Sequence, residues 1–328
     1  MNTFIGSVTA RPTFNGSKHA AQVTLKSAIR CTGIGLHGGR PASLTHKPSG
    51  PDTGIVFKRI DRSGSAPIPA RFENVRDTRL CTTLGVEAGV SIGTVEHLMA
   101  ALAGCHVDNV VIEVDGPEVP ILDGSSEPFV FLIESAGTVE QAAPKNAIRV
   151  EKAISIEDGD GRATLRPGLG FSVNIEVEYR KAAVDRQRVS LGLVNGTFKR
   201  ELARARTFGF LDDIEKLRAA GFALGGSLDN AVVMSGDRVL NDGGLRFTDE
   251  FARHKALDAV GDLYLAGATI IGSFEGVRSG HALNNRLLHA LFERRDAWSM
   301  DVMPVESVGG FAHDELAPES LALAAIGR

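Results

Sequence analysis

Apolar and polar positions along the first part of the chain alternate in short runs that predict strands. Between Gln22 and Pro48 these β-prone runs are broken by glycines, and the segments GIVFKRI and NVVIEVDG predict two further strands. In TVEHLMAALAG the apolar positions recur at helical spacing, so a helix is predicted to begin near Val95, with Thr94 as its cap, and to end at Gly104.

The strand pattern restarts in the second half of the chain. After the linker-like segment QAAPKNA come two strand-like segments, IRVEKAISIED and FSVNIEVEY, on either side of the turn DGDGR. This restart of the strand pattern predicts a domain boundary near Pro144. An amphipathic helix then ends at Gly221, and two glycine pairs bracket the next strand, which favours a small insertion at about residues 210–245. A longer helix, FARHKALDAVGD, leads to the strand TIIGSF, and another helix starts at His281.

Two helix–strand units resemble each other. They are HLMAALAGCHVDNVVIEVDG from His97 and HKALDAVGDLYLAGATIIGSFEG from His254. Each begins with histidine, passes a glycine after about two helical turns, and enters a β-branched strand that ends in glycine. Two related domains would explain the similarity and would bring the two helix starts to one interface. Chance similarity between two ordinary helix–strand units is the alternative.

The composition is that of an ordinary globular protein. A chain of 328 residues suits about two domains. Hydrophobic residues make up 43% of the chain and charged residues 23%, which excludes disordered and fibrous classes. We predict a flexible extension over residues 1–21, a first domain over residues 22–144, a second domain over residues 145–318 and a tail over residues 319–328.

Charge and cysteine usage narrow the setting. The net charge of -4, without any run of lysine and arginine, makes nucleic acid a poor candidate partner. The three cysteines lack CxxC spacing, which favours a reducing compartment, the cytoplasm, and argues against a cysteine-based zinc site. We find no export signal and no apolar run long enough to span a membrane, while peripheral contact with a membrane surface stays open.

Candidate chemistry centres on the helix FARHKALDAVGD. His254, Asp258 and Asp262 recur every four residues and therefore stack on one side of the helix. Imidazole nitrogen and carboxylate oxygen are both ordinary zinc ligands. An isolated HxxxD pattern is also compatible with a solvated helix face, so a third ligand and a base must come from elsewhere in the chain.

The remaining parts of a metal hydrolase are present in the sequence. Such an enzyme needs three protein ligands, a carboxylate base, and groups that stabilise a developing oxyanion. The chain offers His97 as third ligand, Glu96 as base, and His281 with Thr207 for the developing charge. Each has an ordinary structural alternative, since a carboxylate suits a helix start and His281 could serve as a helix cap. No GxSxG, Walker or GxGxxG motif competes for the chemistry.

Several long motifs occur together and in order. They are TVEHLMAALAG with VDN and ILDGSS, then ARTFGF, GGSLDNAVV, RVLNDGGLRFTDEFARHKALDAVGDLYLAG and SGHALNNRLL. On these residues the chain resembles the UDP-3-O-acyl-N-acetylglucosamine deacetylase family of lipid A biosynthesis, from about Gln22 to near Asp301. The resemblance implies an enzyme with one Zn2+ per chain that removes acetate from the 2-amino group of a UDP-linked, 3-O-acylated glucosamine.

The resemblance also implies a role for each matching residue. The implied zinc ligands are His97, His254 and Asp258. Glu96 would be the general base that activates the attacking water. His281 would be protonated, stabilising the oxyanion and then donating a proton to the leaving amine, and Asp262 would orient that imidazole and tune its charge. Thr207 would donate a hydrogen bond to the oxyanion, and Lys255 would contact an anionic part of the nucleotide.

The fold implied by the resemblance is α+β, with two similar domains forming a layered β-α-α-β sandwich. Each domain carries a small insertion, and the active site lies at the domain interface. The second insertion would form an apolar passage for the acyl chain, with Phe208, Leu217 and Phe222 as candidate contacts, and Tyr179 would lie near the uracil. Ordinary core packing of these side chains is the alternative. Asp212 stands where a basic residue is expected, which affects rim contacts rather than the chemistry.

We expect a cytoplasmic monomer, and two functional alternatives stay open. One is a zinc amidohydrolase that acts on a different acylated amine. The other is a catalytically inactive binding module for sugar nucleotides, which would need a broken site, whereas Glu96 and all three implied ligands are present.

Overall fold

A computed structural model describes residues 19–87, 89–179 and 186–304 of the chain. The predicted extension at residues 1–21 lies outside this part up to residue 18, and the predicted tail at residues 319–328 lies outside it entirely. Among the described residues, no helix is both long and apolar enough to cross a membrane. The cysteines Cys31, Cys81 and Cys105 are free thiols.

The described residues of the first half of the chain form ten strands and two α-helices. The strands are β1 (Ala21–Leu25), β2 (Ile29–Ile34), β3 (Pro41–Pro48), β4 (Ile55–Arg59), β5 (Ile68–Pro69), β6 (Val75–Asp77), β7 (Thr83–Glu87), β8 (Val90–Ile92), β9 (Val110–Val114) and β10 (Thr138–Pro144), and the helices are α1 (Glu96–Gly104) and α2 (Glu127–Ala136). A five-stranded sheet has the order β2-β3-β9-β4-β5, and β6, β7 and β8 form a small separate sheet. Strand β9 is the central strand of this sheet, and its sequence VVIEV buries every second residue, as a half-buried strand does.

In the second half, the part of the chain that the structure describes forms ten strands and three α-helices. The strands are β11 (Asn146–Val150), β12 (Ile154–Asp158), β13 (Gly161–Arg166), β14 (Phe171–Val177), β15 (Gln187–Gly192), β16 (Phe208–Phe210), β17 (Val232–Ser235), β18 (Arg238–Val239), β19 (Thr269–Val277) and β20 (Trp298–Val302), and the helices are α3 (Leu211–Ala219), α4 (Glu250–Tyr264) and α5 (His281–Glu293). A seven-stranded sheet is built around β19, which pairs with β11, β13 and β14. Strands β16, β17 and β18 form a three-stranded sheet, and α3 connects the parallel pair β16 and β17.

Helices α1 and α4 pack directly against each other and join the two halves of the chain. The α1 side chains from Leu98 to Leu102 are completely buried, so this helix is enclosed by protein on all sides. The two helices approach closely at Gly261 of α4, where an added Cβ atom would lie 2.0 Å from the backbone oxygen of Glu96. Only glycine allows this contact, and it sets the spacing between the two helices that carry the candidate site.

The α+β class predicted from the sequence is confirmed by the mixture of several sheets and few helices. The two similar helix–strand units are α1 with β9 and α4 with β19, and each strand lies inside its own sheet. The segment predicted as an insertion, about residues 210–245, contains α3, β17 and β18. The domain boundaries and the layered sandwich stay predictions.

Thr94 was predicted to cap α1, and that prediction is wrong. The helix begins at Glu96 after Val95, and no side chain caps its first turn. Thr94 has a φ of 58°, in the left-handed region, and its hydroxyl donates to Glu118 Oε1 at 2.9 Å. The buried Glu118 carboxylate also accepts hydrogen bonds from the backbone N–H groups of His37 and Gly38, so it competes successfully for the threonine.

Candidate active site

Three buried side chains from α1 and α4 converge on one point. His97 comes from the first turn of α1, and His254 and Asp258 lie one turn apart on α4. One potential ligand atom from each residue lies within 4.8 Å of the other two. Asp258 Oδ1 is 3.3 Å from His254 Nε2 and 3.6 Å from His97 Nε2. The structure therefore brings together the three residues implied as metal ligands by the sequence.

The hydrogen bonds around this group leave the inward-facing atoms free. His254 Nδ1 lies 3.0 Å from the Ala205 carbonyl oxygen, an arrangement in which Nδ1 donates and Nε2 keeps its lone pair. Asp258 Oδ2 accepts a hydrogen bond from Lys255 Nζ at 2.9 Å. By contrast, Asp258 Oδ1 is buried without any hydrogen-bond donor among the described residues. An orphaned carboxylate oxygen facing two imidazole nitrogens fits a bound cation.

The charge states of the three residues also suit a cation. Burial lowers the pKa of His97 to about 3 and lowers the pKa of His254, so both imidazoles are neutral. Burial alone would raise the pKa of Asp258, but His254, once it is protonated in acid, and the Lys255 ammonium hold this pKa well below its usual range. Two neutral imidazoles and one carboxylate are the deprotonated donors that a divalent metal requires.

His97, His254 and Asp258 are called the metal group below. Glu96 lies next to His97 at the start of α1 and is only 4% exposed. Its Oε2 accepts a hydrogen bond from the backbone N–H of Thr82 at 3.0 Å, and its Oε1 is 3.8 Å from His281 Nε2. Burial raises the pKa of Glu96 to about 7, an effect that the positive charge of His281 opposes. A carboxyl group with a pKa near neutrality can accept and release a proton at physiological pH.

His281 is the first residue of α5, and its imidazole lies close to the Glu96 carboxylate. Its Nδ1 lies 2.8 Å from Asp262 Oδ2, which also accepts a hydrogen bond from Asn284 Nδ2 at 2.9 Å. Burial alone would lower the pKa of His281, but the carboxylates of Asp262 and Glu96 raise it to about 9. The imidazole is therefore protonated at neutral pH, and its Nε2 is directed toward Glu96.

Thr207 sits where the two halves of the chain meet. Its backbone N–H donates to the Gly124 carbonyl at 2.8 Å, and its own carbonyl accepts from Val232 N at 2.8 Å. The preceding residue, Arg206, forms a buried ion pair with Glu250, with Nε 2.9 Å from Oε1. These contacts fix the backbone of Thr207 from three directions.

A cluster of aromatic side chains around Phe208 lies next to His254 of the metal group. The ring of Phe208 lies edge-on to Phe251 at 4.6 Å, to Tyr179 at 5.5 Å and to His254 at 6.0 Å. The Lys255 ammonium lies 5.7 Å from the centre of the Phe208 ring. Phe208 thus lies beside His254, and Tyr179 lies beside Phe208, while their contacts with a substrate stay a prediction.

Leu217 and Phe222 lie in the segment predicted as an insertion, nearer the surface than the metal ligands. No residue of α3 is fully buried, and Phe222, just after that helix, is 38% exposed. The Phe222 ring lies 6.3 Å from the ring of His37, edge-on. The backbone beyond it is tied to the same turn, because Leu224 N–H donates to the His37 carbonyl at 3.1 Å. An acyl passage lined by Leu217 and Phe222 stays a prediction.

Sequence reasoning missed two residues that surround the candidate acid and base. Thr82 contacts Glu96 and Asp262, and Asn284 contacts Asp262. Neither has a charge or a metal-ligand side chain, so neither was considered for the chemistry, although Asn284 lies within the motif SGHALNNRLL. The only local signal was that Asn284 lies three residues after His281, on the same side of a helix.

Comparison with known proteins identifies the family of this chain. The family described as UDP-3-O-acyl N-acetylglycosamine deacetylase matches residues 22–293. A protein from a Shewanella strain is 50% identical over 281 residues, covering 85% of this chain and 92% of that protein. Proteins from Shewanella oneidensis and Shewanella baltica are 49% identical over the same shares, and all three are named UDP-3-O-acyl-N-acetylglucosamine deacetylase. The chain belongs to the UDP-3-O-acyl-N-acetylglucosamine deacetylase family.

Proposed function

We propose that this protein hydrolyses the N-acetyl group of UDP-3-O-acyl-N-acetylglucosamine, giving UDP-3-O-acyl-glucosamine and acetate in lipid A biosynthesis. The observation that carries the proposal is the convergence of a three-residue ligand group with a buried carboxylate and a protonated imidazole. The names of relatives about half identical to this chain supply the substrate. The cytoplasm is the proposed location because three free cysteines suit a reducing compartment, and a monomer is the proposed state.

The proposed cofactor is one Zn2+ per chain, held by His97, His254 and Asp258. Two imidazoles and one carboxylate, with a further position open to substrate or water, are the ligand type of catalytic zinc sites. When bound, the cation would polarise the acetyl carbonyl group and lower the pKa of water beside it. Lys255 supports the site by binding the outer oxygen of Asp258, which leaves the inner oxygen for the metal.

Glu96 is the proposed general base. It removes a proton from the attacking water as the water oxygen bonds to the acetyl carbon. Its backbone partner Thr82 holds one carboxylate oxygen, and the other faces His281. Burial makes the carboxylate a stronger base than an exposed one, because the charged form is poorly solvated.

His281 is the proposed general acid. Its protonated ring stabilises the oxyanion and then transfers the Nε2 proton to the amine nitrogen as the carbon–nitrogen bond breaks. Asp262 binds Nδ1, so it fixes the ring orientation and keeps the ring protonated until that step. The Thr207 hydroxyl is the proposed additional donor to the oxyanion.

Substrate contacts complete the proposal. Lys255, 23% exposed at its side chain, would meet an anionic part of the nucleotide, and Tyr179 would lie near the uracil. Phe208, Leu217 and Phe222 would contact the acyl chain. Their support is position: Phe208 adjoins His254, and the other two lie on the neighbouring insertion.

The test measures zinc content and acetate release on one sample of purified protein. We expect one zinc per chain, loss of acetate release after chelation, and recovery when zinc is restored. E96Q should keep the metal and lose turnover by about a hundredfold or more, whereas E134Q, at an exposed ion pair with Lys199, should match the wild type. Zinc-loaded protein that releases no acetate would overturn the substrate assignment, and full activity of E96Q would overturn the base assignment.

A further inference from the structure

Thr82 lies immediately before β7, in the small sheet of the first half, and is 2% exposed. All three of its polar groups are hydrogen bonded. Its N–H donates to Glu96 Oε2 at 3.0 Å, its hydroxyl donates to Asp262 Oδ1 at 2.6 Å, and its carbonyl accepts from Val95 N at 3.3 Å. One residue therefore touches the carboxylate beside the metal group and the carboxylate that orients His281.

The contact with Asp262 crosses between the two halves of the chain, since the partners are 180 positions apart. Asp262 has two oxygens with different partners. Thr82 occupies Oδ1, while His281 Nδ1 and Asn284 Nδ2 share Oδ2. The threonine hydroxyl thus fixes the rotation of the carboxylate and directs Oδ2 at the imidazole.

A structural explanation alone does not account for the hydroxyl. Valine has nearly the same shape and would fill the same buried space, whereas a buried hydroxyl without a partner costs free energy. The neighbouring Thr83 shows the contrast, because within the described part of the chain its hydroxyl makes a 3.7 Å contact with Cys81 Sγ rather than a hydrogen bond to a charged group. The Thr82 hydroxyl donates instead to a charged acceptor at short distance, which is the stronger kind of hydrogen bond.

We propose that Thr82 is a positioning residue for the acid–base pair: it holds Glu96 through its backbone and Asp262 through its side chain. This inference rests on the proposed deacetylase function. The side-chain part predicts that Thr82 acts on turnover through Asp262 and His281 rather than on substrate binding.

The experiment compares T82V, T82S and the matched control T83V in the zinc-loaded full-length protein. T82V should lower kcat by about ten- to a hundredfold, the value of a hydrogen bond to a charged group, with KM within about twofold of the wild type. T82S retains the hydroxyl and should stay within about threefold of wild-type kcat, and T83V should match the wild type. Wild-type kcat in T82V, or an equal loss in T82S and T82V, would overturn the proposal.

A double-mutant cycle with D262N separates this role from general packing. If Thr82 acts through Asp262, T82V should add little to the loss already caused by D262N, whereas independent effects would multiply and overturn the proposal. If T82V does not fold, as judged by thermal unfolding and zinc content, T82A and T82S provide the same comparison. Absence of acetate release from the wild type would instead overturn the proposed function, so the two failures are distinguishable.

Discussion

Replacing Gly261 by alanine is a direct test of how the site depends on helix packing. Glycine to alanine inside a helix ordinarily stabilises it by about 0.5–1 kcal/mol. Here the new Cβ would lie 2.0 Å from the Glu96 backbone oxygen and 2.9 Å from its carbonyl carbon, against an ordinary contact distance that begins at 3.4 Å. Both obstacles are backbone atoms, so no side-chain rotation relieves the clash.

The size of the effect follows from these distances. The difference between 2.0 and 3.4 Å means that α1 and α4 must separate locally by about 1.4 Å. Helix α1 carries His97 and Glu96, while α4 carries His254 and Asp258. Metal–ligand distances tolerate only about 0.2 Å, and a displacement of about 1 Å can cost about a hundredfold in rate.

We therefore expect G261A to bind zinc at least about tenfold more weakly and to lose acetate release by about a hundredfold. Zinc affinity is measured by competition with a chromogenic chelator, and acetate release is measured at saturating zinc. G192A is the matched control, because no described atom beyond the adjacent residues lies within 4 Å of the Cβ it would add at the end of β15. Wild-type zinc affinity and activity in G261A would refute the reasoning that this contact sets the ligand spacing.

Three further outcomes are expected. Acetate release should have a bell-shaped pH profile. Activity should rise as Glu96 loses its proton at or below about pH 7, since a bound cation lowers the Glu96 pKa further, and should fall as His281 loses its proton near pH 9. An unchanged alkaline limb in D262N would contradict the assignment of that limb to His281. Burial lowers the pKa of His46 from 6.5 to about 4, so as the pH falls the imidazole is protonated in the unfolded chain before it is protonated in the folded protein. About 3 kcal/mol of stability is therefore lost between pH 6.5 and pH 4. H46L should lessen that loss in urea unfolding, and a pH dependence identical to that of the wild type would contradict this expectation. E250Q, which removes the fully buried carboxylate of the Arg206–Glu250 ion pair, should destabilise the protein by about 3–5 kcal/mol in urea unfolding. A loss below about 1 kcal/mol, typical of exposed pairs, would show that the pair contributes little.

Much of the fold was predictable because the relevant signals are local. Alternation of apolar residues predicted strands such as β4 and β9, and helical spacing predicted α1 and α4. The cap at Thr94 failed for a long-range reason, since Glu118, 24 positions away, binds its hydroxyl. Helix capping is predicted from adjacent residues, so a hydrogen-bond acceptor that is distant in the sequence cannot be taken into account.

The candidate site divides in the same way. The spacing of His254, Asp258 and Asp262 is a property of one helix, and it indicated a shared face before any tertiary structure was considered. The different roles of Asp258 and Asp262 on that face could not be predicted from the local sequence. Asp258 points an unpaired oxygen at two imidazoles, whereas both oxygens of Asp262 are occupied by hydrogen-bond donors, including His281.

By itself the sequence determined the α+β class, the helix that carries two of the three candidate ligands, and the family motifs. Only the tertiary structure decided that His97 meets this helix, that the contact at Gly261 sets their separation, and that Thr82 links Glu96 to Asp262. The physical reason is range: helical and strand periodicity is set by neighbours a few residues apart, whereas ligand distances depend on packing between segments more than 150 positions apart in the chain.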